Sequence, residues 1–361
     1  MANVIVLFDR WMKPDAEKMW RKALSEEMGS GFGGHQVSFV ENVEGDFEWS
    51  TESRDGVKEA KGDSSNIKKH VRDADVVVTG YAPLTMAIMD EAPRLRVIGV
   101  SRGGPVNVDV EAATLKGVIV LRAVGRNAVS VADQTLGMML SESRKISRLH
   151  HSLRTGRYFQ DVEELGRQRY MSGFRWMELE GKKLGLIGYG QVGKRVAVRA
   201  KAFGMDVKVY DPFVDAGALR RDGCVKAGLD DLLASSDFVS IHARLTPETR
   251  HMIDDEALKK MKPTAILVNT ARGEIIDEAA LITALKEGWI AGAALDVFED
   301  DPIKRGNQLL SLDNVTLTPH SAGRSPETEM RGYRQIARQI ATYLSGEGVN
   351  PVHVANKSVL G

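Results

Sequence analysis

Residues Leu184-Gly185-Leu186-Ile187-Gly188-Tyr189-Gly190-Gln191-Val192-Gly193 read as a short apolar strand, a tight glycine turn and the opening of a helix. The G-x-G-x-x-G spacing falls on Gly188, Gly190 and Gly193. In such a turn the first glycine permits the bend and the second lets backbone approach a pyrophosphate. The third lets the helix pack on the strand. Unpaired N–H groups at the helix start then face the phosphate oxygens. Downstream, Val196, Ala197, Ala200 and Phe203 recur at helical spacing, and Gly204 suits a helix C-cap. A second strand at 207–210 ends at Asp211-Pro212. Asp211 lies 23 positions after Gly188, close to the ~20-residue offset of a carboxylate that binds the adenosine ribose hydroxyls. A carboxylate there repels a 2′-phosphate, so NAD is expected over NADP. The plainer alternative for Asp211 is a turn cap before proline.

The chain has 361 residues, enough for two domains. Lys plus Arg and Asp plus Glu each total 49, so the formal net charge is zero. No global charge therefore favours nucleic acid or an anionic membrane surface. Cys224 is the only cysteine, which excludes an intramolecular disulfide and a cysteine-cluster zinc site. No metal is expected, since His150 and His151 are consecutive and face different ways on a helix. The opening apolar run, residues 4–8, is strand-length and lacks a basic region ahead of it, unlike a secretion signal. No stretch reaches the ~18–20 apolar residues that span a bilayer. A soluble, cytoplasmic protein is expected.

Strand-like and helix-like segments alternate along the chain. Strands are expected at residues 4–8, 36–40, 74–79, 95–100 and 118–121, then at 237–242, 265–269, 291–297 and 315–318. Helices are expected at 66–72, 254–261, 278–287 and 328–344, with one long helix over 127–151. In that helix Val131, Thr135, Met138, Met139, Leu140 and Ile146 are the packing positions. Residues 45–65 are polar and aperiodic, and 154–180 reads as a charged, aromatic loop with partial helix. Such alternation implies an α/β fold with parallel sheets flanked by helices.

Three polar residues follow predicted strands downstream of the glycine turn: Arg272, Asp301 and His320. In open parallel sheets ligands bind outside the carboxyl ends of strands, so the three are expected near the cofactor's reactive end. A guanidinium holds a carboxylate bidentately. Histidine titrates near neutrality and exchanges the proton that accompanies hydride transfer at a carbinol. A neighbouring carboxylate orients the imidazole and favours its protonated form.

Taken with the segments 240–249, 269–273, 292–298 and 319–323, the chain resembles the D-isomer-specific 2-hydroxyacid dehydrogenase family over residues 75–323. The resemblance implies a Rossmann cofactor domain, residues 123–320, inserted into a discontinuous flavodoxin-like substrate domain, residues 1–122 and 321–361. A cleft between the two would close on NAD and a small 2-keto or 2-hydroxy acid. It implies that Arg272 binds the substrate carboxylate and carbonyl oxygen, that His320 is the acid–base, and that Asp301 pairs with it. Nicotinamide contacts are implied for Thr270, Ala271, Asp296 and Gly323, and pyrophosphate contacts for Gln191 and Val192, with His242 lining the cofactor site. On the substrate side, the N–H groups of Gly103 and Gly104 are implied to hold the carboxylate. Arg102 would meet a second anionic or hydroxyl-rich group, and Arg126 is a similar candidate, although both suit structural ion pairs.

The chain departs from the family pattern in three places. Asp301 stands where glutamate is usual, so it must reach His320 with one methylene fewer, directly or through water; Glu299 is a weaker substitute. Arg244 replaces a proline, and the 154–180 excursion is longer than usual. A homodimer built on helix 127–151 is also implied, and no appended regulatory domain is expected after the last helix. Two other readings share the scaffold: an NAD(H)-sensing binding protein or corepressor, and a formate-dehydrogenase-like enzyme.

Overall fold

The computed structural model of the chain describes residues 1–50 and 52–361. It divides into two compact units, Met1–Arg126 with Ser325–Gly361, and Asn127–Arg324, so both chain crossings fall slightly downstream of residues 122 and 320.

In the first unit, strands β1 (Asn3–Phe8), β2 (Gln36–Glu41), β3 (Val76–Thr79), β4 (Val97–Val100) and β5 (Ile119–Arg122) form one parallel sheet in the order β2-β1-β3-β4-β5. That is the flavodoxin-like winding. The inner strands are near-continuous runs of Val, Ile and Leu because both faces are covered. Helices Ala16–Met28 and Pro326–Leu344 share a core with one face, where Trp20 stacks on Tyr333 at 4.2 Å. Arg334 and Arg338 pair with Glu26 and Glu27 along the same seam. The C-terminal tail is tied to β5, where Asn356 accepts from the Val120 N–H at 2.9 Å and donates to the Val118 carbonyl at 2.8 Å. These contacts close a unit whose two pieces lie at opposite ends of the chain.

In the second unit, strands β6 (Lys183–Ile187), β7 (Asp206–Tyr210), β8 (Val225–Lys226), β9 (Phe238–Ile241), β10 (Ile266–Asn269), β11 (Gly292–Leu295) and β12 (Val315–Leu317) form a second parallel sheet. Its order is β12-β11-β10-β9-β6-β7-β8. Strands β6 to β11 follow the Rossmann winding, which reverses between β6 and β9. The α/β fold with two helix-flanked parallel sheets is therefore as expected.

Two expectations need correction. The long helix is Ala128–Ser143, and a second helix, Ile146–Thr155, follows a break. Lys145 sits in the break at φ +54°. Its ammonium is buried against Glu142 at 2.6 Å, and Glu142 also accepts from Thr316 at 2.9 Å. Burial pushes the Glu142 carboxyl up, and the Lys145 charge opposes that shift. Ile146, expected to pack, is consequently exposed. The excursion at 154–180 is largely helical, with further helices Arg157–Leu165 and Arg167–Ser172 separated at Gly156 and Gly166, both at positive φ. The described residues of the segment at 45–65 are irregular, as read, up to a helix beginning at Ser64.

Trp20 is 1% exposed, and removing a buried indole from a stacked site costs about 3–5 kcal/mol. Trp20→Ala is expected to lower the denaturant midpoint of the first unit by a corresponding amount. A midpoint equal to wild type would mean that the Trp20–Tyr333 seam does not hold the C-terminal helix.

Candidate active site

Every strand of the second sheet runs the same way and in register. Gly188, Asp211, His242, Thr270, Asp296 and Thr318 each directly follow the last residue of a strand, from β6, β7, β9, β10, β11 and β12 respectively. All of them gather at one edge of the sheet.

The glycine turn is shaped by close approach. Gly188 has φ +96°, and a Cβ on it would lie 2.7 Å from the Ala243 nitrogen at the end of β9. A Cβ on Gly193 would collide with the Gly188 carbonyl, while one on Gly190 would meet nothing within 4 Å. So the first and third glycines are required by packing, and the second faces open space. Gly190 is also the N-cap of helix Gln191–Ala202 and supplies no side-chain cap. The backbone N–H groups at that helix start are thus available to an anion. Asp211 accepts from the Tyr189 N–H at 2.8 Å and from the Phe213 N–H at 2.9 Å. It braces the turn and caps the following bend together, and each oxygen keeps a further lone pair.

Asn269 and Asp296 organise the next two turns, and neither stood out as an organiser in the sequence. Buried Asn269 accepts from the Ala271 N–H at 3.0 Å and donates to the Arg272 carbonyl at 2.8 Å. This folds residues 270–272 into a tight turn and projects the exposed Arg272. The Arg272 guanidinium donates to the Ala271 carbonyl and has no carboxylate partner among the described residues. Gly273 follows because the backbone of Phe298 leaves no room for a Cβ there. Thr270 bonds Thr135 of helix Ala128–Ser143 at 3.0 Å.

Asp296, 1% exposed, accepts from Thr318 Oγ1 at 2.6 Å and from the N–H groups of Ser321 and Ala322 at 2.9 Å. Its carbonyl accepts the His320 N–H at 2.8 Å. His320 is held at φ +50°, unusual for a residue with a side chain. Its Nδ1 hydrogen-bonds directly to Asp301 Oδ2. With Nδ1–H donating to the carboxylate, Nε2 is left exposed at the edge of the sheet. Glu299 bonds His251 at 2.8 Å instead. Glu278 secures the loop by accepting from the Glu299 N–H and from Asn307 Nδ2. Gly323 packs against Asn127.

His242 is partly buried, with Nε2 at 3.0 Å from Ser240 Oγ. Burial pushes its imidazole down to about 3, so it is neutral at physiological pH.

In the first unit, Gly103 and Gly104 follow β4 in an open loop, where a Cβ on either would meet nothing nearer than 3.7 Å. Arg102 is not a free anion-binding cation here. It pairs with Glu59 and lies 4.9 Å over the Tyr81 ring. Arg126 likewise pairs with Glu329 at 3.1 Å. Asp9, directly after β1, bridges the ends of β2 and β3 through Asn42 Nδ2 at 2.7 Å and the Tyr81 N–H at 3.2 Å. Burial pushes Asp9 up to about 7, against those hydrogen bonds.

A sequence model described as "D-isomer specific 2-hydroxyacid dehydrogenase, NAD binding domain" matches residues 136–322. The chain belongs to this family. It is 43% identical over 293 residues to the D-3-phosphoglycerate dehydrogenase of Methanocaldococcus jannaschii, covering 80% of this chain and 54% of that protein. It thus spans about half the length of that relative. It is 37% identical over 303 residues to the glyoxylate reductase of Korarchaeum cryptofilum, covering 84% of this chain and 89% of the reductase. The structure of a D-lactate dehydrogenase from Aquifex aeolicus, complexed with NAD and lactic acid, superposes with a TM-score of 0.68 at 27% identity, covering 98% and 99% of the two chains.

The NAD-binding domain of this family member fits a dinucleotide on its own geometry. Gly190 is open, the start of helix Gln191–Ala202 is uncapped, and a carboxylate stands at the end of β7. One consequence of the site is measurable in the free enzyme. Burial holds the His242 imidazole down at about 3 in the folded protein, below the ordinary value of about 6.5 that it regains on unfolding. Between those values the unfolded chain binds the extra proton, so this stabilisation is complete above pH 6.5 and fades as the pH falls towards 3. His242→Gln is expected to flatten the wild-type loss of stability between pH 6.5 and 4, read from urea midpoints. Parallel curves for the two proteins would show that His242 is not held neutral by the fold.

Proposed function

We propose that this protein is an NAD-dependent D-2-hydroxyacid dehydrogenase that interconverts small 2-keto and 2-hydroxy acids. The observation that carries the reading is the His320–Asp301 hydrogen bond, formed on the sheet edge that also projects an unpaired Arg272. When bound, NAD supplies or accepts hydride at the substrate's C2. The chain's own residues do the rest. Backbone N–H groups of Gln191 and Val192 would hold the pyrophosphate, and Asp211 would hold the adenosine ribose, its charge disfavouring a 2′-phosphate. Thr270, Ala271, Asp296 and Gly323 would border the nicotinamide, and His242 would line the cofactor site.

Arg272 would hold a substrate carboxylate and polarise the carbonyl at C2, and in the first unit the Gly103 and Gly104 N–H groups would donate to a carboxylate. In reduction, His320 donates a proton from Nε2 to the oxygen at C2; in oxidation it takes that proton back. Asp301 is a positioning residue. Its bond to Nδ1–H fixes the tautomer and stabilises the imidazolium. The shorter side chain suffices because the loop from Asp296 to Asn307 brings Asp301 into direct contact with His320.

His320→Ala should lower kcat by about 100-fold or more, the usual contribution of a positioned acid–base, while NADH titration by fluorescence shows unchanged affinity. Wild-type turnover in that variant would remove the assignment. Asp301→Asn should displace the pH profile of kcat/KM, and an unmoved profile would mean that Asp301 is not the histidine's partner. NADH-dependent partner binding with no turnover of any 2-keto acid would instead favour a sensor.

The assembly proposed is a homodimer, and cytoplasmic residence is proposed from the single, buried Cys224, which suits a reducing compartment. Helix Ala128–Ser143 buries its apolar side chains within its own unit, whereas Leu153, Phe159 and Leu165 of the following helices are exposed, Phe159 by 64%. These exposed apolar side chains support a dimer face that runs from the end of the expected helix 127–151 into residues 146–176. Phe159→Asp is expected to shift sedimentation from dimer to monomer, and a monomeric wild type would overturn the placement.

A further inference from the structure

The irregular segment ahead of the Ser64 helix is bound to the loop that carries Gly103 and Gly104. The Lys58 N–H donates to the Val106 carbonyl at 2.8 Å, and the Lys61 N–H donates to the Tyr81 carbonyl at 3.1 Å. Arg102 donates to both the carbonyl and the carboxylate of Glu59. Glu59 itself is held at φ +47°, with its N–H on the Ser50 carbonyl at 2.6 Å. Phe47, Val57 and Ala60 form a small core of their own beneath this strip. The segment is thus a built wall at the carboxyl end of β4.

The wall has two chemical characters. One is aromatic: Trp49 and Trp11 lie 5.7 and 5.6 Å from Tyr81, and the Arg102 guanidinium spans Tyr81 and Trp49. The other is electrostatic. Arg102 adjoins Gly103 in the chain, and its charge is already matched by Glu59 with only 15% of the arginine side chain exposed. A phosphate brought here would meet the Glu59 carboxylate and the negative faces of aromatic rings rather than an unpaired cation. A hydrogen or hydroxyl substituent brings no charge of its own to desolvate against the rings.

We infer that the Glu59–Arg102 pair and the Trp49–Tyr81 wall beside the Gly103–Gly104 loop select a 2-keto acid with an uncharged C3 substituent against one carrying a phosphate. This rests on the dehydrogenase reading and names the substrate class within it. Initial rates of NADH oxidation with hydroxypyruvate and phosphohydroxypyruvate test it, using the full chain. Wild type is expected to prefer hydroxypyruvate in kcat/KM by about tenfold or more. Glu59→Gln keeps an acceptor for Arg102 but removes the charge. It should narrow that preference through a lower KM for the phosphorylated acid, with kcat little changed, and Glu59→Asp should restore it. Equal melting curves show that the loop is intact. Preference for the phosphorylated acid in wild type would overturn the inference and point to Lys58 or Arg122, which have no carboxylate partner among the described residues. An unchanged ratio in Glu59→Gln would overturn it as well. If no 2-keto acid, glyoxylate and pyruvate included, is reduced by wild type, the dehydrogenase reading itself fails and the selectivity falls with it.

Discussion

The arrangement around His320 depends on the buried side chain of Asp296. A carboxyl group out of water is costly unless its oxygens are hydrogen-bonded, and here they accept from the Thr318 hydroxyl and from two consecutive backbone N–H groups. The carbonyl of the same residue takes the His320 N–H. One residue at the end of β11 therefore dictates the path of the chain leaving β12. It holds His320 in a left-handed backbone conformation that a residue with a side chain adopts only when its surroundings demand it. Asn269 does the same for the arginine turn one strand away. The Arg272 and His320 side chains are exposed, but the groups that aim them are buried.

This precision is possible because the sheet is parallel and in register. Consecutive carboxyl ends are brought to a common edge, so residues distant in sequence become neighbours without any special loop. Helices fill the connections and cover both faces, which is why strands such as Val76–Thr79 and Ile266–Asn269 are completely buried. The first unit repeats the logic with a different winding and places Asp9, Tyr81 and Arg102 at its own carboxyl edge. Closing that unit requires its C-terminal helix to return to the N-terminal one. The Trp20–Tyr333 stack and the two Arg–Glu pairs supply that closure.

Much of this was legible in the residues. Strand positions followed from apolar runs bounded by turn residues, and the glycine turn identified the first strand of the cofactor sheet. Arg272, Asp301 and His320 stood out because each follows a strand. Other features left no such trace. The break at Lys145 arises from an ion pair with Glu142 that is buried only because Thr316, far along the chain, also binds Glu142. Helical periodicity runs through that position undisturbed. The helices after Gly156 and Gly166 are amphipathic but short and charged, so their composition resembles a loop. Arg102 read as an open cation because its partner, Glu59, lies in an aperiodic stretch with no pattern to place it.

The sequence by itself determined the fold class and the dinucleotide turn, and it singled out Arg272, Asp301 and His320 as the polar residues that follow strands. These depend on local rules: glycine where backbone must approach, alternation of strand and helix, and a carboxylate at a set spacing. Only the tertiary structure decided which groups touch. It decided that the shorter Asp301 reaches His320 directly, that Glu299 turns to His251, and that Arg102 is already neutralised. Hydrogen bonds and ion pairs form over about three ångströms, and residues separated by many tens of positions meet at that range only after the core has set their backbones.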